Sequence, residues 1–451
     1  MAQQEILSTE PYLARFNAAK ARLPGAGQCW LDELREAAAA RFRDLGFPTQ
    51  RHEIWKYTPL KALQGIGFTP AGEVARPASI DHVPSLLPAE APRYRATLVG
   101  GVVRPEMSSL DGELPDGATI EPLAAALERD PTNLAELLGG VASDRDQPLL
   151  ALNTALFEDG VVIRLGRNVV LDRPLELTLV GPLAEVPTQV HPRILIVLEE
   201  GAQATVLEHH LGFGTEPVFH NGVSEIALGP NARLTHVKVQ AAPLDTFHFA
   251  TTHLRQARAS AYDGFTLNRG AGLSRLETRV KLVGEGADCH LNGAYLLRGR
   301  QHGDITTVVD HQVPHCTSRE VVKGAIDDRG RGVFQGLIKV APHAQKTDGR
   351  MLNKTLLLSE KAEIDTKPEL EIFADDVQCA HGATAGAIDD MALFYLRSRG
   401  LDEAAARALL VESFLAETVE ELGDESLRPL LLERIRDWLQ VRRESLEEMA
   451  A

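Results

Sequence analysis

Residues 193–240 read RILIVLEEGAQATVLEHHLGFGTEPVFHNGVSEIALGPNARLTHVKVQ. Short segments at Arg193 to Leu198, Gly222 to Leu228 and Leu234 to Val239 alternate at period two, the pattern of strands. Between them lie small-residue turns, Glu200-Gly201-Ala202 and Gly229-Pro230-Asn231-Ala232. The same punctuation recurs at Arg258-Ala259 and Glu285-Gly286-Ala287, so that turn alanines follow one another at Ala202, Ala232, Ala259 and Ala287. A nearly fixed period, here roughly 28 residues, marks a solenoid. Further strands are expected at Val161 to Leu165, Glu277 to Val283 and Gly336 to Val340. A similar turn falls at Ser359 to Ala362, with less regular ones around Gly303 and Arg329-Gly330.

A unit of this length is too short for a domain but long enough for one coil of two or three strands. Coils stacked about 4.8 Å apart bury their inward Val, Leu and Ile in one continuous core. The stretch from 150 to 376 then makes about eight coils. The predicted fold is mainly β: a parallel β-helix, right-handed by the crossover preference. An antiparallel sandwich is the alternative, but tight Asn-Gly hairpin signals of the Asn221-Gly222 kind are scarce.

Helical periodicity flanks the coils. Leu31 to Phe42 repeats apolar residues at three and four spacings. Asp402 is placed to cap a helix through Ala406, Leu409, Leu410, Phe414 and Leu415, and a last amphipathic helix runs near Leu430 to Leu446. The expected organisation is a helical and mixed N-terminal region over 1–149, the β-helix over 150–376, and a helical domain over 377–451.

The chain has 451 residues, with 47 Lys plus Arg against 63 Asp plus Glu and a net charge of −16. That balance repels phosphate backbones, so nucleic acid is not an expected partner. The apolar runs are far short of the roughly 20 residues of a membrane span, and no signal or transit peptide is readable, which makes the cytoplasm the expected compartment. No Gly-Lys dipeptide occurs, so no Walker loop is present and no ATP site is expected in this chain. Hydrolase signatures of the H-E-x-x-H and G-x-S-x-G types are also missing.

The four cysteines, Cys29, Cys289, Cys316 and Cys379, are scattered with no C-x-x-C, against both a disulfide framework and a zinc knuckle. Cys379-Ala380-His381 is the constellation with most chemistry: on a strand, residues two apart share a face, and a thiol and an imidazole together can offer two ligands to a borderline metal. A buried cysteine beside a hydrogen-bonded histidine is the simpler alternative. His311, His315 and Cys316 form a denser cluster, read as structural because Pro314 rules out a helical ligand pair. Arg51-His-Glu-Ile-Trp-Lys-Tyr-Thr58 is read as a helix end laying Trp55 on the first coil, with Arg51 and Glu53 paired at the surface.

Several long motifs, in order, resemble the SufB/SufD family of the bacterial sulfur-mobilisation machinery. They are Arg51-x-Glu53-x-Trp55-Lys56-Tyr57-Thr58, the decapeptide from Ala151 to Gly160, Asp310-His311 with Pro314-His315-Cys316, Thr347-Asp348, Asp365 to Ile372, Ala374 to Thr384, and Phe394 to Gly400. The resemblance implies a β-helix between helical modules and a non-enzymatic scaffold role. It further implies pairing with a SufB-like paralogue and docking of a SufC-like ATPase, with iron or an iron–sulfur cluster held at the shared interface. By the same resemblance His381, with Cys379 beside it, falls at the cluster-related position. The ATPase-docking element maps to the C-terminal helices, through Phe394, Tyr395, Leu396, Arg397, Arg399, Leu409, Leu410 and Phe414. SufB-like chains carry Glu directly after the histidine and a scaffold cysteine upstream of it. Gly382 and Asn353 stand at those two positions here, which places the resemblance on the SufD side.

Two other readings compete. A β-helix carbohydrate enzyme needs an aromatic-lined groove, and 14 Phe, 6 Tyr and 3 Trp supply it poorly. A self-contained metal or cluster storage protein would complete its site alone. A homodimer of the isolated chain is compatible with the exposed edges of a β-helix.

Overall fold

The computed structural model describes residues 7–74, 83–109, 114–142 and 145–450. Two long sheets, of eleven and ten strands, run side by side, and from Arg193–Leu198 onward consecutive strands alternate between them. Neighbours within each sheet are almost all parallel. This is the expected parallel solenoid of about eight coils.

One ladder of the core takes one residue from each coil. Ile163, Ile196, Ile226, Leu254, Val280, Val309, Ile338 and Leu370 stand in direct register along one sheet. Those from Ile163 to Val309 are buried in a single apolar cluster, and Ile338 is equally buried in the adjoining one. Each such side chain contributes about 1.5–3 kcal/mol of burial, so the stack is stabilised coil by coil. Both Asn-Gly dipeptides, Asn221-Gly222 and Asn292-Gly293, lie inside strands, Val218–Leu228 and Asp288–Leu297, and form no hairpin.

The regular turns form one corner of the solenoid. Its left-handed position is taken in turn by Asn168, Gly201, Asn231, Ala259, Gly286, His315 and Lys346, all with φ between 53° and 70°. Stacked turns are joined by backbone bonds such as Gly201 N–H to Pro230 O and Asn231 N–H to Arg258 O, both 2.9 Å. From Gly201 onward a buried small residue follows one place later. After Ala259 it is therefore Ser260, and the series Ala202, Ala232, Ser260 continues through Ala287, Cys316 and Thr347. The irregular turns near Gly303 and Arg329-Gly330 belong to other corners, which explains their different chemistry.

The coil stack runs beyond both expected boundaries. Tyr94–Val99 already pairs in parallel with Leu175–Val180, and Gln378–Gly386 closes the series against Asp348–Leu357. The final strand lies at an open end, so its residues lack the burial that writes a period-two pattern.

Helices cover both outer faces. On one, the N-terminal helices Glu10–Ala19 and Cys29–Leu45 bring Tyr12, Phe16 and Phe42 onto Phe219 and Phe249. On the other, Glu403–Val419 and Arg428–Ala450 pack Val411, Leu415, Ile435 and Trp438 against Val237, Phe265 and Leu296. Asp402 caps the first of these through Ala405 N–H, as expected.

Trp55 does not rest on the first coil. It stands 6.1 Å from Phe249 and beneath the Arg275 guanidinium at 4.3 Å, in the middle of the stack. Glu53 pairs with Lys367 at 2.8 Å rather than with Arg51, and the Thr58 hydroxyl donates to Asp304. The segment therefore crosses several coils and ties the N-terminal region to the strand Glu363–Ile372.

The decapeptide Ala151 to Gly160 is a second clamp. Asn153 and Thr154 accept from Arg193, and Asp159 accepts from the Val103 and Ala124 amides. At Gly160 a Cβ would lie 1.6 Å from the Arg193 carbonyl oxygen, so no other residue fits without moving the next coil.

Candidate functional site

The last coil consists of Glu363–Ile372 and Gln378–Gly386, and each is the terminal strand of its sheet. One edge of both strands is therefore unpaired among the described residues. Edges left open are normally protected by charges, lysine or proline. Glu363–Ile372 has such residues in Lys367, Pro368 and Glu369, whereas Gln378–Gly386 reads QCAHGATAG and has none.

His381 is exposed on this strand, and Cys379, two residues before it, is half-buried. Their register partners are Met351 and Gly349, both buried, so both residues occupy the inward side of a coil that no further coil covers. Only the thiol is drawn in: Sγ sits 3.6 Å from where a Gly349 Cβ would be and packs on the cluster holding Ile338 and Met351. Burial, with Asp348 adding to it, pushes the Cys379 thiol pKa up. The thiol is thus held protonated at neutral pH and is a weak ligand while so buried. The imidazole of His381 is free to meet a ligand or another surface.

Asn353 lies one coil behind, buried, donating to the Val322 carbonyl at 3.1 Å. His311 and Cys316 have the structural roles expected: His311 bonds the Ser318 hydroxyl at 2.9 Å, and the Cys316 thiol reaches the Gly284 carbonyl at 3.4 Å. All four cysteines are free.

The C-terminal residues separate by exposure. Phe394, Tyr395 and Leu409 are 68%, 56% and 46% exposed, and Met391 beside them 75%, giving an apolar patch on the helices Asp390–Ser398 and Glu403–Val419. Arg399 lies over the Tyr395 ring at 5.2 Å, and Arg397 pairs with Glu403 at 3.3 Å. Leu396, Leu410 and Phe414 turn inward against the cluster shared with the solenoid, where Lys323 is bonded to the Phe414 carbonyl at 2.9 Å.

A second constellation escaped sequence reasoning. Glu208, His210, His220 and His248 meet in the interior of the early coils, all buried. His220 and His248 are separated by one repeat period, and that recurrence is the signal that would have exposed the pair. His210 sits on the opposite sheet, and only the closing of the coil brings it to them.

No helix among the described residues is long and apolar enough to cross a membrane. Residues 183–414 match the family described as "SUF system FeS cluster assembly, SufBD core domain", and residues 7–177 match "SufBD protein N-terminal region". The chain is 35% identical to the iron-sulfur cluster assembly protein SufD of Escherichia coli over 393 residues, covering 86% of this chain and 89% of that one. It is 34% identical to an iron-sulfur cluster assembly SufBD family protein of Synechocystis over 417 residues, 91% of each chain. Against the SufD of Bacillus subtilis identity is 26% over 425 residues, 89% and 92% of the two chains. With family matches that together cover residues 7–177 and 183–414, and relatives at 34% and 35% identity over most of both chains, the chain belongs to the SufBD family of iron–sulfur cluster assembly proteins.

Proposed function

We propose that this protein is a scaffold subunit that pairs with a SufB-like paralogue through its last coil and holds iron or a nascent iron–sulfur cluster between the two chains through His381. A SufC-like ATPase docks on the patch formed by Met391, Phe394, Tyr395 and Leu409. The observation that carries this reading is the exposed imidazole on an unpaired, unprotected terminal strand, where a partner strand would bring further ligands to it. Cys379 contributes once a partner displaces its thiol from the interior. One imidazole and one inward thiol do not complete a cluster, which favours a shared site over self-contained storage.

In the co-expressed complex, His381→Ala is expected to lower iron and sulfide per complex at least tenfold while partner co-purification is unchanged. Wild-type iron and sulfide content in that variant would remove His381 from the function.

A further inference from the structure

His220 and His248 lie on adjacent parallel strands, Val218–Leu228 and Thr246–Gln256, directly opposite each other in register. Their rings stack at 4.3 Å and 12°. His210, near the end of Gln203–Leu211 in the other sheet, stands edge-on to both, at 5.5 Å from His220 and 4.8 Å from His248. One nitrogen from each ring can be chosen so that all three lie within 4.8 Å of one another.

These nitrogens lack ordinary partners. His210 Nδ1, His248 Nε2 and both nitrogens of His220 are buried without a hydrogen bond of good geometry, although the Phe249 backbone passes close to His220. Three buried imidazoles packed together with unsatisfied nitrogens form an arrangement that an apolar core would not retain. Gly222 makes room for it: a Cβ there would come within 2.8 Å of His220 Cε1.

The surroundings are those of a ligand set. His210 Nε2 is 3.1 Å from Glu208 Oε2, which fixes the proton on Nε2 and leaves the Nδ1 lone pair toward the other rings. This is the carboxylate–histidine arrangement that orients metal-bound imidazoles. Glu208 is itself held by His236 Nε2 at 2.9 Å and Lys238 Nζ at 3.2 Å, and His236 Nδ1 meets the Tyr262 hydroxyl at 2.9 Å. A cavity of about 20 Å³ lies against the three histidines, enough for one water-sized occupant as a fourth ligand. It is also lined by Gly181, Leu211, Ala242 and Thr246, at strand ends and loops.

We propose that His210 Nδ1, His220 and His248 Nε2 bind one borderline divalent transition metal ion, of the Zn²⁺ or Fe²⁺ class, inside the solenoid. The site lies in the early coils, far along the stack from His381, and belongs to this chain alone. Three neutral imidazoles with one outer carboxylate select such an ion over the hard Ca²⁺ and Mg²⁺, which require oxygen ligands. Tetrahedral coordination with metal–nitrogen bonds of about 2.0–2.1 Å sets the nitrogens about 3.3 Å apart, so on binding the rings close in by roughly an ångström and the stacked His220 and His248 rings rotate to turn their in-plane lone pairs onto the ion.

The test uses the full chain, stripped with chelator, loaded with Zn²⁺ and passed through gel filtration. About one Zn²⁺ per chain is expected on the wild type and on His381→Ala, with at least a tenfold loss in the double variant His220→Gln, His248→Gln. Failure of the wild type to retain Zn²⁺, or undiminished retention in a folded double variant, overturns the site. If the double variant does not fold, X-ray absorption on the Zn²⁺-loaded wild type decides: three imidazole ligands support the proposal, and fewer refute it.

Discussion

Glu225→Ala is expected to destabilise the protein by about 4–5 kcal/mol, and Arg193→Met by less, about 2–3 kcal/mol, although the two residues form one ion pair. Arg193 and Glu225 are 0% and 1% exposed in their side chains and 2.5 Å apart. The guanidinium has further acceptors in Asn153 Oδ1 at 2.9 Å and Thr154 Oγ1 at 3.2 Å. Glu225 also accepts the Gly139, Val141 and Ala142 amides at 2.9 to 3.2 Å. Deleting the carboxylate therefore leaves a buried cation without its anion and three amides without an acceptor. Deleting the guanidinium instead leaves a carboxylate still held by amides, and methionine fills much of the volume. Urea unfolding followed by circular dichroism measures both. Equal losses, or a larger loss for Arg193→Met, would show that the amide contacts contribute nothing.

Glu320→Gln is expected to stabilise the protein at pH 8 and to leave it nearly unchanged at pH 4. Glu320 is 1% exposed in the solenoid interior, in register between Leu291 and Met351. Burial raises its pKa from 4.5 to about 7; the Thr307 hydroxyl works in the opposite direction, without good hydrogen-bond geometry. Because the folded value lies above the unfolded one, the folded state binds the extra proton between about 4.5 and 7. Stability therefore falls as pH rises through that window and is level above it. At about 1.36 kcal/mol per pKa unit the cost above pH 7 is at most ~3 kcal/mol, which an uncharged glutamine removes. The measurement is the difference in urea midpoint between variant and wild type from pH 4 to 8.5. A difference that does not grow between pH 4.5 and 7 would mean that Glu320 has another way to carry its charge.

Recognition motifs were legible as text well before their purpose was. Trp55 and Thr58 stand out because they join aromatic and polar groups, but their targets, Arg275, Phe249 and Asp304, lie far down the chain. Glu53 looks like a partner for nearby Arg51, and the fold instead gives it Lys367. Neighbours in sequence compete poorly with a side chain that the coil stack delivers in a fixed place. The pairing of Cys379 with His381 on one side of a strand needed only the two-residue period, whereas their opposite exposures depend on where the stack stops.

The sequence alone determined the coil. A steady repeat, alternation at two, and small residues at corners reflect local backbone requirements, and the aliphatic ladder from Ile163 to Leu370 follows from them. Only the tertiary structure decided what meets across the interior. Register along a sheet is set by the repeat length, but contact between the two sheets depends on how each coil closes. His210 joins His220 and His248 through that closure, just as Glu320 loses its water through it, and neither event leaves a mark on the residues beside them in the chain.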